Sequence, residues 1–399
     1  MRRRKITPRP SWQRTVEAQG FQFHTPAGRP YWDESACYGF RAREVDEIEA
    51  ATEELQQLCL KAGQFIIDNG RFDDFRIPAG ARQLIRDAWE AEPPSIYGRF
   101  DLMYNGTSPP KLLEYNANTP TSLLEASVIQ WYWHRDAMAG TDQFNSIHEK
   151  LVAQWRGIRP CLKSGPLYFA SMDDAEDATT IGYLRDTAEQ GGIRTSALAI
   201  DRVGWNDRAR EFRDLEERRI ENIFSLYPWE WLLKDNFLAA QNGLAACTLP
   251  GPLIETFPRM IWIEPIWKML WSNKALLAVL WELFPGHPNL LEAHLDGPRA
   301  MTEFVKKPLL SREGANITIH TREGESSTGG PYGAEGYVYQ AVAPAVSFDG
   351  MRPVLGSWYI TDQGAAGMGI RESDGAVTDN LSRFNPTLFR LIRSQSAEA

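Results

Sequence analysis

Cysteine is scarce in this chain, with four among 399 residues, at positions 37, 59, 161 and 247. They form no CxxC pair and have no histidines at zinc-ligand spacing, which argues against a zinc module and a disulfide framework. A reducing, cytoplasmic setting is expected. Basic charge is also short: Lys and Arg number 43 against 52 Asp and Glu, a formal net charge of −9. Nucleic-acid binding wants the opposite balance, so no such partner is expected. Long apolar runs are missing too. The most apolar stretch, 261–284, is broken by Glu264, Lys268, Lys274 and Glu282, where a membrane span needs about 20 nearly uncharged residues. The basic start Met1–Lys5 is not followed by the apolar segment of a secretory signal. No GxxxxGK[ST] loop occurs, and no glycine fingerprint follows the apolar run at Leu167, so neither a Walker nor a Rossmann nucleotide site is encoded. None of the six histidines lies beside a Ser or Cys in a nucleophile motif, which speaks against covalent nucleophilic catalysis.

Aromatic residues are plentiful instead, with 14 Trp, 13 Tyr and 18 Phe, and suit pocket walls as well as cores. The first 40 residues, rich in Pro, Gly and aromatics, read as an arm on the surface of something larger. Apolar residues then recur at helical spacing from Glu44 to Asn69 and again from Ala79 to Glu90. Two alternating segments, Ile96–Tyr104 and Lys111–Asn116, are joined by Asn105-Gly106 and Pro109-Pro110, a hairpin pattern. Ser122–His134 reads as a helix. A strand at Leu167–Ala170, the acidic loop Asp173–Asp177, a helix over 178–190 closed by Gly191-Gly192, and a strand at Ser196–Ile200 have the order of a β-α-β unit. Ile220–Tyr227 is a further strand candidate. After Pro265 the chain is helical and Trp-rich, and from Phe304 it is strand-like through Tyr337–Ala341 and Val354–Ile360. The tail 394–399 reads as frayed. The fold class expected is α+β, divided into an arm (1–43), a helical and hairpin part (44–160), an α/β subdomain (161–260) and a final part (261–399).

Three constellations carry chemistry. Residues two apart on a strand share a face, so Arg99 with Asp101, and Glu114 with Asn116, each line one face of their strand. If the two faces coincide, carboxylate and amide oxygens converge beside a guanidinium, a donor set that suits Mg²⁺ and a transferring phosphoryl group; a solvated, salt-bridged hairpin face is the alternative. Lys306-Lys307-Pro308 with the small-residue loop 311–316 places an ammonium beside a flexible flap, or is an ordinary basic strand and turn. Gly364–Ser373 combines clustered glycines with Arg371, which either lets backbone approach an anionic ligand or simply makes a turn. The acidic loop either attracts an amine or caps the next helix.

Taken together, Tyr97–Asp101, Leu112–Ala126, Glu264–Leu277, Val305–Pro308 with the loop Ser311-Arg-Glu-Gly-Ala-Asn-Ile, and Gly369–Ser373 resemble the glutathionylspermidine synthetase family, in its order and over about residues 20–390. The likeness is narrower to its stand-alone bacterial members of the acid–amine ligase kind. The resemblance implies an ATP-grasp fold with a preATP-grasp-like α/β subdomain over 161–260. It also implies a ligase in which ATP, with Mg²⁺, phosphorylates a carboxylate and an amine attacks the acyl phosphate, giving an amide, ADP and phosphate. The small-molecule partners implied are a carboxylate and an amine, a peptide and a polyamine among the candidates.

By the same resemblance, Asp101, Glu114 and Asn116 correspond to the Mg²⁺ ligands. Arg99 stabilises the transferring group and also touches ATP, and Arg371 is a second arginine at the reacting centre. Lys274 and Lys307 hold ATP phosphates, the 311–316 loop with Gly314 is a lid, and Tyr339-Gln340 passes behind the adenine. Glu176 and Asp177 align with an acidic pair at the substrate site. Two departures limit the transfer. The chain starts too close to the synthetase region to hold the amidase domain of the bifunctional members, so hydrolysis of the product is not expected. Pro228 and Leu233 stand where peptide-handling members carry threonines, which weakens the transfer of glutathione as substrate. Two other readings stay open: a ligase for a peptide or protein terminus, and a nucleotide-binding regulatory protein without turnover.

Overall fold

The structure is a computed structural model and describes residues 1–234, 251–379 and 381–390; Cys247 and the tail 394–399 lie outside them. The long helix Ala42–Asp68 buries Val45, Ile48, Leu55, Cys59, Ala62 and Ile66 along one stripe, as its 3–4 spacing dictates. Its N-terminus is closed by the Glu44 carboxylate, which accepts the Arg41 N–H at 2.8 Å. The hairpin appears where alternation put it, as strands Tyr97–Met103 and Lys111–Asn116. In its connection the Asn105 side chain accepts the N–H groups of Thr107 and Ser108, both at 2.9 Å.

This hairpin forms the edge of a five-stranded sheet. The order runs Arg383–Asn385, Gly364–Ser373, Arg352–Ile360, Tyr97–Met103, Lys111–Asn116. Strand Tyr97–Met103 pairs antiparallel with Arg352–Ile360, with Arg99 opposite Trp358, so the sheet joins strands from the 44–160 and 261–399 stretches. The Ala42–Asp68 helix covers one face, and Thr52 bonds Ser357 across that contact at 2.6 Å. On the same buried face Phe100 and Tyr115 stack at 3.8 Å. Gly98 makes that possible, because a Cβ there would lie 2.6 Å from the Tyr115 ring.

Two of the charges that interrupt the apolar 261–284 stretch anchor this sheet. Glu264 is fully buried and accepts the N–H groups of Ile96 and Tyr97 at 2.9 and 3.1 Å. It also pairs with the buried Lys268 at 2.6 Å, whose ammonium donates to the Tyr97 carbonyl. Neither charge is left uncompensated, as burial demands.

The β-α-β unit is present. Strands Ile261–Ile263, Asn222–Leu226, Leu167–Ser171 and Thr195–Ala199 lie parallel in that order. A further five-stranded sheet contains Phe304–Pro308, Thr318–Thr321 and Tyr337–Ala341. The architecture is a mixed α/β body of several sheets, in keeping with the α+β class.

One local expectation is met with a difference in detail, and another is corrected. The 122–134 helix is one π-helical turn, Glu125–Ile129, followed by an α-helix from Gln130 to Ala137. The N-terminal arm is not superficial: Phe21, Tyr31, Trp32 and Tyr38 are at most 2% exposed. Its strand Ala36–Arg41 runs between Arg2–Lys5 and Thr387–Arg390, a pairing partner more than 340 residues away and invisible to local pattern.

Candidate active site

The two hairpin faces coincide. Arg99 lies opposite Asn116 and Asp101 opposite Glu114, so all four side chains leave one face of the sheet edge. Arg99 is 6% exposed and grips both Asp101 oxygens, Nε to Oδ1 at 2.6 Å and Nη2 to Oδ2 at 3.0 Å. Its third donor goes to the Thr121 carbonyl at 2.7 Å. Asn116 Nδ2 donates to both carboxylates, at 3.2 Å to Asp101 and 3.3 Å to Glu114. Glu114 pairs with Lys274 at 2.9 Å. Burial pushes the Glu114 carboxyl up, but the ammonium groups of Lys274 and Lys307 and the bonds from Lys274 and Asn116 outweigh it and hold it at about 2.

The lysines come from different elements and line the same cavity. Lys274 precedes the helix Ala275–Leu283 and donates to the Ser311 carbonyl at 2.6 Å. Lys307, on strand Phe304–Pro308, donates to the Leu113 carbonyl at 3.0 Å and to Gln340 Oε1 at 2.6 Å. Gln340 is fixed in turn by donating Nε2 to the Leu112 carbonyl at 2.9 Å. Burial lowers the Lys307 ammonium to about 8, with Glu114 opposing and Lys274 adding to the fall.

Two cavities meet at this edge. One, of about 320 Å³, is lined by Lys274, Lys307 and Gln340 together with apolar side chains such as Val305, Ile317, Ile319 and Val354. The other, of about 230 Å³, is lined by Arg99, Asn116, Arg371, Arg312, Glu176 and Asp177. Asp101, Glu114, Ser311, Glu313, Gly314 and Thr378 belong to both walls. The loop residue Gly314 has φ +69°, and a Cβ there would lie 2.6 Å from the Thr378 carbonyl oxygen, so the loop passes this point only as glycine.

The acidic loop divides its work. Asp174 caps the helix Ala175–Gln190, accepting the N–H groups of Glu176 and Asp177 at 3.0 and 2.9 Å. Glu176 and Asp177, in the first turn, are left to line the cavity. Burial raises Asp177 to about 7, helped by Asp174 and Glu176 and opposed by the Met172 N–H and Arg312. Burial also raises Glu176, against Thr121 and Arg371. Arg371 donates to the Asp379 carbonyl, while its buried Nε has no hydrogen-bond partner among the described residues.

Arg99, Asp101, Glu114, Asn116, Glu176, Asp177, Lys274, Lys307, Gly314, Gln340 and Arg371 therefore fall on one or other of these adjoining walls, whereas Tyr339 does not. Pro228 also lines the acidic cavity, whereas Leu233 packs into the core. Sequence reasoning missed Glu125, Tyr31 and Arg312. Glu125 is 4% exposed on the π turn and accepts the Tyr31 hydroxyl at 2.9 Å. Burial and Glu176 raise it to about 7, against Tyr31 and Arg371. A lone acid between Leu123-Leu124 and Ala126 was the available signal. Arg312 bonds Thr119 at 2.8 Å and Glu230 at 3.0 Å and lies over the Trp231 ring.

The donor set at the edge, two carboxylates and an amide on one face, fits a hard divalent cation such as Mg²⁺. Arg99 and Lys274 neutralise these carboxylates as they stand, and the Asn116 amide turned over would present its oxygen.

Comparison with known proteins bears on this arrangement. The family described as "Glutathionylspermidine synthase preATP-grasp" matches residues 3–390. A Haemophilus influenzae chain provisionally named an acid–amine ligase is 39% identical over 96% of this chain and 97% of its own length. Trypanothione synthetase of Crithidia fasciculata is 30% identical over 80% of this chain. The bifunctional glutathionylspermidine synthetase/amidase of Escherichia coli is 26% identical over 76%. The matched part is about half the length of these last two, 51% of each. Among solved structures, a glutathione synthetase-like effector of Globodera pallida, in its apo form, superposes with a TM-score of 0.54 over 96% of this chain and 98% of its own, at 10% identity, a likeness of fold alone. With a family match over nearly its whole length, the chain belongs to the glutathionylspermidine synthase family.

Proposed function

We propose that the chain is an ATP- and Mg²⁺-dependent carboxylate–amine ligase of ATP-grasp type, forming an amide through an acyl phosphate. The observation that carries this reading is the shared wall of the two cavities. A cation-lined apolar cleft suits a nucleotide, an acidic cleft with arginines suits the two condensing substrates, and Asp101 and Glu114 stand between them. The α/β unit over 161–260 is read as the preATP-grasp-like part, and it supplies the acidic pair.

In this reading Lys274 and Lys307 hold the β- and γ-phosphates, and Val305, Ile317 and Gln340 line the base end. Asp101, Glu114 and Asn116 would hold Mg²⁺, which neutralises phosphate charge. Arg99, released from Asp101 once that carboxylate has another counter-charge, donates to the phosphoryl group passing to the substrate carboxylate. Arg371 offers a second set of donors to the acyl phosphate, and its unpartnered Nε suits that role. The loop 311–316 excludes water from this hydrolysable intermediate. Glu176 and Asp177 attract the amine, and a carboxylate titrating near 7 suits accepting the proton that the amine must lose.

The test is ADP release by the purified protein with Mg-ATP across a matrix of carboxylates and amines, glutathione, glycine peptides, putrescine and spermidine included. ADP that requires both partners, with a product short of their summed mass by one water, is the expected result. Silence across the matrix despite ATP binding would overturn the small-molecule assignment.

A further inference from the structure

The Gly369–Ser373 segment contains a charge that the reacting centre does not use. Neighbouring residues on a strand face opposite ways, so with Arg371 on the cavity wall, Glu372 points to the back of the sheet, where it is fully buried. There it is bound on both oxygens. Arg3 donates Nη2 to Oε1 and Nε to Oε2, both at 2.8 Å, and the Tyr38 hydroxyl donates to Oε2 at 2.6 Å. Arg3 and Tyr38 are themselves cross-strand partners in the small sheet built by the N-terminal segment. A bidentate guanidinium plus a phenol hydroxyl fixes a carboxylate in position and angle.

Arg371 has little comparable support of its own. Among the described residues its guanidinium makes one hydrogen bond, to the Asp379 carbonyl, and Nε has no hydrogen-bond partner. The strand also ends close by: Ser373 opposite Arg352 is the last pair of its ladder with Arg352–Ile360. A strand end loosens first. The direction of the Arg371 side chain is therefore set mainly by its backbone, which is paired with Val354 on one side and Phe384 on the other, and to which the adjoining Glu372 adds a buried side-chain anchor.

We propose that Arg3, Tyr38 and Glu372 form a positioning clamp that aims the Arg371 guanidinium into the acidic cavity. The functional value of the clamp rests on the ligase reading, in which Arg371 serves the reacting centre; the geometry of the clamp does not.

The test reads the arginine directly. In the full chain grown with isotope-labelled arginine, the Nε–H signals of Arg371 and Arg99 are identified by Arg371→Lys and Arg99→Lys. Tyr38→Phe and Glu372→Gln are then compared with Tyr168→Phe, which removes a hydroxyl bonded to Asp214 in the α/β unit. The expected result is a displaced Arg371 signal, exchanging with solvent about tenfold faster, in both clamp variants, with Arg99 unmoved and no change in Tyr168→Phe. An unmoved Arg371 signal in folded clamp variants overturns the proposal. So does an equal movement of Arg99, which would mean general loosening. If Glu372→Gln fails to fold, Tyr38→Phe decides, since it leaves the ion pair intact. A protein without ligase activity would still give this answer, so the two readings fail separately.

Discussion

Asp101 and Glu114 face each other across the hairpin, and each carboxylate has its own cation, Arg99 for the first and Lys274 for the second. The two cations come from different cavity walls, which ties the two cavities to a single pair of acids. Removing Arg99 therefore frees Asp101 but leaves Lys274 and Lys307, the lysines proposed to hold the phosphates, in place. Arg99→Ala should keep ATP affinity within a few-fold while turnover falls on the order of 100- to 1,000-fold, the cost of deleting one transition-state donor. Calorimetric ATP titration beside ADP-release rates checks both halves, and full turnover would remove the assignment.

The acidic pair makes a pH-dependent prediction. Asp177 titrates near 7, so it is largely neutral below that value and anionic above it. The KM for the amine should fall as pH rises through about 7, while the KM for ATP stays nearly flat. Asp177→Asn should raise the amine KM at neutral pH and flatten its pH profile. An unchanged profile would leave Asp177 with no part in amine binding.

Glu125 predicts a change in stability. Its carboxyl is raised from 4.5 to about 7 in the folded chain, so the native state holds a proton that the unfolded chain has lost. Stability from this group is complete below the unfolded value and is lost as pH rises through about 7, by about 3 kcal/mol in total. Glu125→Gln keeps the neutral shape and should flatten that fall between about pH 4.5 and 7. Urea melts of both proteins across this range measure the difference.

Gly314→Ala tests the proposal that the 311–316 loop is a lid. Its left-handed φ costs a side-chain-bearing residue roughly 1–2 kcal/mol, and the clash of a Cβ with the Thr378 carbonyl adds to it, so the population of the observed loop falls by at least a factor of about 5–30. kcat should drop by at least that factor with little change in melting temperature, and an unaffected kcat would mean that the loop conformation is irrelevant to turnover.

Much of this site was legible because its spacing is local. Alternation fixed which side chains of Tyr97–Met103 and Lys111–Asn116 share a face, and only the register, which sets Asp101 against Glu114, needed the structure. The helix Ala42–Asp68 announced itself through its apolar period. The arm did not, because the burial of Trp32 and Tyr38 depends on strands near residue 385. The acidic loop was ambiguous because neighbouring residues do both jobs that it suggested, Asp174 the capping and Glu176 with Asp177 the lining. Glu125 was hidden in an apolar helical pattern that averages over single residues.

The pairing of Arg99 with Trp358 has a consequence for how the protein comes into being. The strand bearing Arg99 and Asp101 is synthesised early, but its neighbour in the sheet follows more than 250 residues later. Contacts of such separation form late. A nascent or truncated chain thus carries the acid pair on its local hairpin but lacks both the Arg352–Ile360 strand that backs it and the Lys307 strand beside it, so the two cavities are walled only once the chain is nearly whole.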